Sequence, residues 1–255
     1  MDAFAKAFPY REDDVVIVSY PRSGSTWLRF IFANLIRNTV GDGSTSVDFL
    51  FVQRFMPAIS AEIQRKGVDY EALPSPRIMR THSLYIKEIP KVIYLMRDGR
   101  DVLVSYYMYF KKSNVFEGSF ADFLVSNMRG VEWDQHVTSW LYNNSSLRNV
   151  CVVKYEDLLK TPVLEVERLA AFIGLECGRD QIHKAVHESS FEKMRQVEEN
   201  TGLGFFSGRN DQIPFVRKGE SGTWKKVFGE KDKARVKEMY GNVLLRTGYA
   251  SDYRW

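Results

Sequence analysis

One stretch, Tyr20-Pro21-Arg22-Ser23-Gly24-Ser25-Thr26-Trp27, restricts this chain more than any other. It follows Val15-Val16-Ile17-Val18-Ser19, a continuous β-branched run that reads as a buried parallel strand, and precedes the apolar run 28–36, long enough only for a helix. A strand, a tight turn and a helix in that order make a cradle for an anion. Gly24 lets the backbone turn without a Cβ clash, Ser25 or Thr26 can cap the helix, and amide N–H groups converge with the positive helix end. A Walker A loop requires G-x-x-x-x-G-K-[ST]. Here no Gly opens the turn, Ser25 stands where the Lys would be, and the cation precedes the Gly as Arg22.

The rest of the chain repeats the strand and helix alternation. Segments 77–80, 91–96 and 149–155 read as further strands, and helices are expected at 26–37, 48–66 (broken near Pro57), 102–111, 119–128, 131–143, 162–173 and 232–247. Such alternation implies parallel pairing, with ligands outside the carboxyl ends of the strands. The expected fold is a three-layer α/β/α domain with a central parallel sheet and a P-loop-like strand-loop-helix, occupying residues 1–255 as one domain. Residues 1–13 read as an irregular lead-in whose Phe4, Phe8 and Tyr10 either line a pocket or close the core. Segment 196–223 reads as a mobile loop that closes over bound ligand.

Composition narrows the partners. A formal net charge of +4 on 255 residues fits an anionic substrate but is too mild to argue for nucleic acid, and no polybasic run is present. The two cysteines, Cys151 and Cys177, give no disulfide framework, which points to a reducing cytoplasm. No stretch approaches the roughly 20 apolar residues of a membrane span, and the first residues lack an apolar leader. His183 and His187 stand four apart on an expected helix, but without a third ligand nearby they read as a solvated face.

The loop YPRSGSTW resembles the YPKSGTTW phosphosulfate loop of the cytosolic sulfotransferases, which use 3′-phosphoadenosine 5′-phosphosulfate (PAPS). In that family the loop holds the 5′-phosphate and the sulfuryl group, which implies donor contacts for Arg22, Ser23, Gly24, Ser25 and Thr26. Arg80-Thr81-His82 is similar to the family's K-T-H, whose His is the general base, so the resemblance implies His82 as base with Arg22 and Arg80 beside the moving group. Arg replaces Lys at both positions, exchanging a rotatable ammonium for a planar fork.

Arg97-Asp98-Gly99-Arg100-Asp101-Val102-Leu103-Val104-Ser105-Tyr106-Tyr107 resembles the family's R-N-x-x-D-x-x-V-S-Y-Y, where the Arg and Ser bind the 3′-phosphate; Arg97 and Ser105 hold those places. Tyr155-Glu156-Asp157-Leu158 matches Y-E-D-[LM], and Ser189-Ser190-Phe191-Glu192-Lys193-Met194 matches T-S-F-x-x-M. These imply adenine contacts for Tyr155, Ser189 and Phe191, while Trp27 and the polarisable Met194 also suit a purine face. Arg217-Lys218-Gly219 with Gly222, Trp224 and Lys225 resembles R-K-G-x-x-G-D-W-K, a further 3′-phosphate motif, with Thr223 in place of its Asp.

The resemblance runs from about Val15 to Phe228 and implies a PAPS-dependent sulfotransferase. Its product would be adenosine 3′,5′-bisphosphate and its acceptor a small hydroxyl or amine compound, with no metal expected; the aromatic-rich edges at 4–10 and 106–110 point to an acceptor that is partly apolar. The family's K-x-x-x-T-V-x-x-x-E dimerisation segment is not matched, so no oligomeric state is implied. Two other classes stay open at this level. A PAPS-binding protein without catalysis would not need His82, and a nucleotide kinase would need the Walker Lys that is missing.

Overall fold

The computed structural model describes residues 3–37, 46–142, 149–203, 216 and 219–255. In chain order the elements are α1 (Ala3–Ala7), β1 (Val15–Ser19), α2 (Ser25–Ile36), α3 (Phe49–Phe55), α4 (Ala61–Arg65), β2 (Ile78–Thr81), β3 (Lys91–Met96), α5 (Gly99–Lys112), α6 (Phe120–Val125) and α7 (Trp133–Leu141). There follow β4 (Val150–Lys154), α8 (Tyr155–Lys160), α9 (Pro162–Ile173), α10 (Arg179–Glu188), α11 (Phe191–Thr201), a 3-10 turn Thr223–Lys226 and α12 (Glu230–Arg246).

The four strands pair in the order β2-β1-β3-β4, all parallel. From β1 the chain goes to β2 on one side, then crosses back to β3 on the other. The connections therefore diverge at the carboxyl ends of β1 and β3, the place where an open α/β sheet binds ligands.

Side-chain alternation along the strands explains the layers. Val16 and Val18 of β1 join Met79, Val92, Tyr94 and Met96 in a core covered by α5, α6, α7 and α12. Val15 and Ile17 face the other way, with Ile78, Ile93, Leu95 and Val153, and are covered by α2, α3, α9 and α10. A sheet buried on both faces requires the continuous apolar strands seen here, and the three-layer expectation holds.

Several local expectations change. The segment 48–66 is two short helices separated by strand-like Ala58, which is bridged to Arg80. Arg29, the one charged residue in the apolar run 28–36, is buried, and its guanidinium donates to the carbonyls of Val52 (2.9 Å) and Met56. Burial is tolerated because those carbonyls replace water. Phe4, Phe8 and Tyr10 close the core against Tyr70, with the Phe8 and Tyr70 rings 5.0 Å apart, so of the two roles left open for this lead-in the structure shows the second. Tyr155 opens α8 where a strand end was expected. Residues 196–201, expected to be loop, are the last turns of α11, whose one buried side chain is Met194. Among the described residues no helix is long and apolar enough to cross a membrane.

Candidate active site

The loop after β1 turns through two left-handed residues, Arg22 (φ 70°) and Gly24 (φ 97°). Gly24 itself is the N-cap of α2, with Ser25 already helical, so the side-chain cap expected from Ser25 or Thr26 is not used. A Cβ on Gly24 would lie 2.6 and 2.8 Å from ring carbons of Tyr155, which is why only glycine fits beneath that ring. Leu28 N–H donates to the Gly24 carbonyl at 3.2 Å, so the amides of Ser25, Thr26 and Trp27 precede the first intrahelical donor and have no carbonyl within the helix to bond. With the helix dipole behind them they form a ready anion site.

Loop, strand ends and helix α5 enclose one cavity of about 520 Å³. Its wall includes Arg22, Gly24, Ser25, Thr26, Trp27, Arg80, His82, Arg97, Ser105, Tyr155, Phe191, Met194 and Gly219, residues drawn from six separate sequence motifs. Two expected residues stand behind the wall. The hydroxyl of Ser23 is buried and has no hydrogen-bond partner among the described residues. Ser189 is buried, its carbonyl accepting from Trp27 Nε1 (3.0 Å) and its hydroxyl from Asn34 (3.1 Å), so it orients Trp27 from below. Arg217 and Lys218 lie outside the described residues.

His82 follows β2. Its Nδ1–H donates to the Ser19 carbonyl at 2.6 Å, which leaves Nε2 as the basic nitrogen of the ring. Desolvation, with the Arg80 cation second, pushes the imidazole down to about 3. Both effects favour the neutral form, the form a base must have. Arg80 is held in register by backbone bonds to Pro57 and Ile59 (2.9 and 2.8 Å).

Arg22 does not point freely into the cavity. Its Nε donates to the Ser105 hydroxyl (3.2 Å) and its guanidinium lies 4.8 Å from the centre of the Tyr109 ring. Arg97, at the carboxyl end of β3, spans from the Arg22 carbonyl (3.1 Å) to the Glu220 carbonyl (2.9 Å) and stacks 4.4 Å from the Tyr155 ring. Its Nε is buried without a partner among the described residues. Tyr155 and Trp27 meet edge to face at 5.8 Å, giving the far end of the cavity an aromatic corner.

Some site residues were not singled out from sequence. Leu159, Val216 and Glu220 line the cavity without any role having been assigned to them, while Tyr106 and Tyr109 line it from the aromatic edge 106–110. His136, uninformative in sequence, is buried beneath the site with Nδ1 3.0 Å from the Tyr94 hydroxyl, and burial pushes it down to about 3. His183 and His187 are both exposed on α10, and His187 pairs with Glu188 at 3.2 Å. Both cysteines are free.

An α/β sheet with a glycine-containing turn and a helix N-terminus at its switch point, and a neutral imidazole in the wall of the same cavity, suits a group-transferring enzyme. Residues 12–248 match the family model described as "Sulfotransferase domain". Mouse sulfotransferase 1 family member D1 is 30% identical over 255 residues, covering 92% of this chain and 84% of the relative. In fold, the chain is similar to mouse sulfotransferase SULT7A1 complexed with PAP, with a TM-score of 0.68 at 22% identity over 94% of this chain and 86% of that one. It is also similar to retinol dehydratase in complex with androsterone and inactive cofactor PAP, with a TM-score of 0.65 at 23% identity over 94% and 82% of the two chains. The chain belongs to the PAPS-dependent sulfotransferase family of the cytosolic type, and the kinase reading falls with that membership.

Proposed function

We propose that this enzyme transfers the sulfuryl group of PAPS to a hydroxyl or amine of a small, partly apolar acceptor, with His82 as general base. The observation that carries this reading is the bond from His82 Nδ1–H to the Ser19 carbonyl, which leaves Nε2 as the basic nitrogen of a ring in the wall of the cavity that the phosphate loop also lines. In the step proposed, the acceptor's proton passes to Nε2 as its oxygen or nitrogen bonds to sulfur. The bond from sulfur to the phosphate oxygen breaks, and adenosine 3′,5′-bisphosphate leaves. No redox change or metal step is needed to balance it.

The residues on hand suit that donor. The orphaned Nε of Arg97 and the Ser105 hydroxyl, now engaged by Arg22, are donors available to a 3′-phosphate. Amides of 25–27 suit the 5′-phosphate, and Tyr155, Trp27, Phe191 and Met194 suit the adenine faces. Arg22 and Arg80 supply fixed positive charge where the sulfuryl group moves. Tyr106 and Tyr109 line the same cavity and favour an acceptor with apolar or aromatic surface. The two unpaired cysteines suit a cytoplasmic setting.

The test is incubation with PAPS and mixed small hydroxyl and amine compounds, followed by mass spectrometry. A sulfuryl mass increment on at least one acceptor, with matching release of adenosine 3′,5′-bisphosphate, is expected. Bisphosphate binding without any sulfated product across such mixtures would favour a non-catalytic binder.

A further inference from the structure

We propose that Asp101 is a positioning residue that builds the 3′-phosphate end of the donor site before any nucleotide arrives. Its carboxylate is fully buried in the first turn of α5. One oxygen accepts from Gly222 N–H (2.5 Å); the other accepts from the Thr223 hydroxyl (2.8 Å) and Trp224 N–H (2.9 Å). Neighbouring Arg100 is paired with Asp98 rather than Asp101 and stacks 4.1 Å from the Trp224 ring of the same segment. Three donors from one short segment thus satisfy the buried charge, and such charge-assisted bonds are the strong kind.

The segment held this way is the one that reaches the cavity. Gly219 lines its wall, the Glu220 carbonyl accepts from Arg97, and Gly222 (φ 76°) makes the turn that offers neighbouring donors to Asp101. Ser105 lies one helical turn beyond Asp101 on α5, and Arg97 lies just ahead of that helix. Asp101 therefore fixes Gly219, Ser105 and Arg97 in one frame without touching the cavity itself. Ordering that frame in advance spares the nucleotide the cost of doing so. Thr223 stands where the related motif has Asp, and here its hydroxyl supplies the third donor. The proposal rests on reading Gly219, Arg97 and Ser105 as 3′-phosphate ligands, and the test separates the two.

Calorimetry with adenosine 3′,5′-bisphosphate and with AMP would be run on the full chain and on Asp101→Asn and Thr223→Val, together with KM for PAPS and kcat. Asp101→Asn sets an amide N–H₂ against a backbone N–H. It should weaken bisphosphate binding by about 10-fold to 100-fold, leave AMP affinity within about twofold, and raise KM for PAPS far more than it lowers kcat. Thr223→Val keeps both backbone bonds and should show the same pattern at about threefold to tenfold, which keeps the test available if Asp101→Asn misfolds. Equal losses for both ligands, or no loss for the bisphosphate in either variant, would overturn the positioning role. A parent protein that binds the two nucleotides equally would instead overturn the 3′-phosphate reading beneath it.

Discussion

Gly24→Ala changes one hydrogen to a methyl group at the point where the phosphate loop passes under Tyr155. Two effects add. At φ 97° an alanine carries the left-handed penalty, about 1–2 kcal/mol. The new Cβ would also meet the Tyr155 ring at 2.6 Å, so the ring must retreat by the better part of an ångström. That ring is buried, stacks under Arg97 at 4.4 Å and meets Trp27 at 5.8 Å, contacts worth about 0.5–2 and 0.5–1.5 kcal/mol when fully formed.

A total loss of about 2–4 kcal/mol should lower Tm by about 5–15 °C for a chain of this size. Bisphosphate affinity should fall by about tenfold or more, because the displaced ring and Arg97 are both proposed donor contacts. Gly67→Ala is the control. It has φ 85° but nothing within 4 Å of a new Cβ, so it should cost only the backbone term and leave affinity unchanged. The assays are thermal unfolding and calorimetry on both variants. Unchanged nucleotide affinity in Gly24→Ala would refute the reasoning, since Tyr155 would then not belong to the donor site.

Arg97→Ala should lower bisphosphate affinity by two orders of magnitude or more and AMP affinity much less, each charge-assisted contact being worth about 1.5–3 kcal/mol; calorimetry with the two ligands reads the difference. Stability should fall on acidification because burial holds His136 neutral, its pKa lowered to about 3. Its folded pKa lies below the unfolded value, so the unfolded chain takes up the proton first. Its contribution is whole above about pH 6.5 and is lost toward pH 3, by up to about 1.4 kcal/mol per pH unit. His82, its pKa also lowered to about 3 by desolvation first, should add a slope of the same sign. Urea unfolding between about pH 7 and pH 5 tests this, and a His136→Gln variant should show a flatter profile.

The parts of this site that sequence revealed are those where strand, turn and helix are contiguous. The run Val15 to Trp27 carries its own β-branched pattern, glycine and cation, so the loop and the start of α2 were legible to within a residue. His82 and Arg97 were legible because each closes a strand. Sheet order was not, since nothing local says that β3 passes to the far side of β1. The partners of Asp101 lie more than a hundred residues away in sequence, and Thr223 hides the link by replacing an acid. His136 and Arg29 look like surface residues by type; only packing shows that Tyr94 meets one ring nitrogen of His136 and that two carbonyls accept from the Arg29 guanidinium. Helix α11 was missed because only Met194 among its residues is buried, too little apolar periodicity to read.

Base catalysis by His82 is the central claim, and a single comparison tests it most directly. His82→Ala and the parent would be assayed together for sulfuryl transfer at saturating PAPS and for bisphosphate affinity by calorimetry. Removing the general base should slow transfer by roughly 10²-fold to 10⁴-fold while affinity barely changes, because no phosphate contact is lost. Transfer at nearly the parent rate with affinity intact would contradict the account, placing the base elsewhere or showing that the acceptor arrives already ionised.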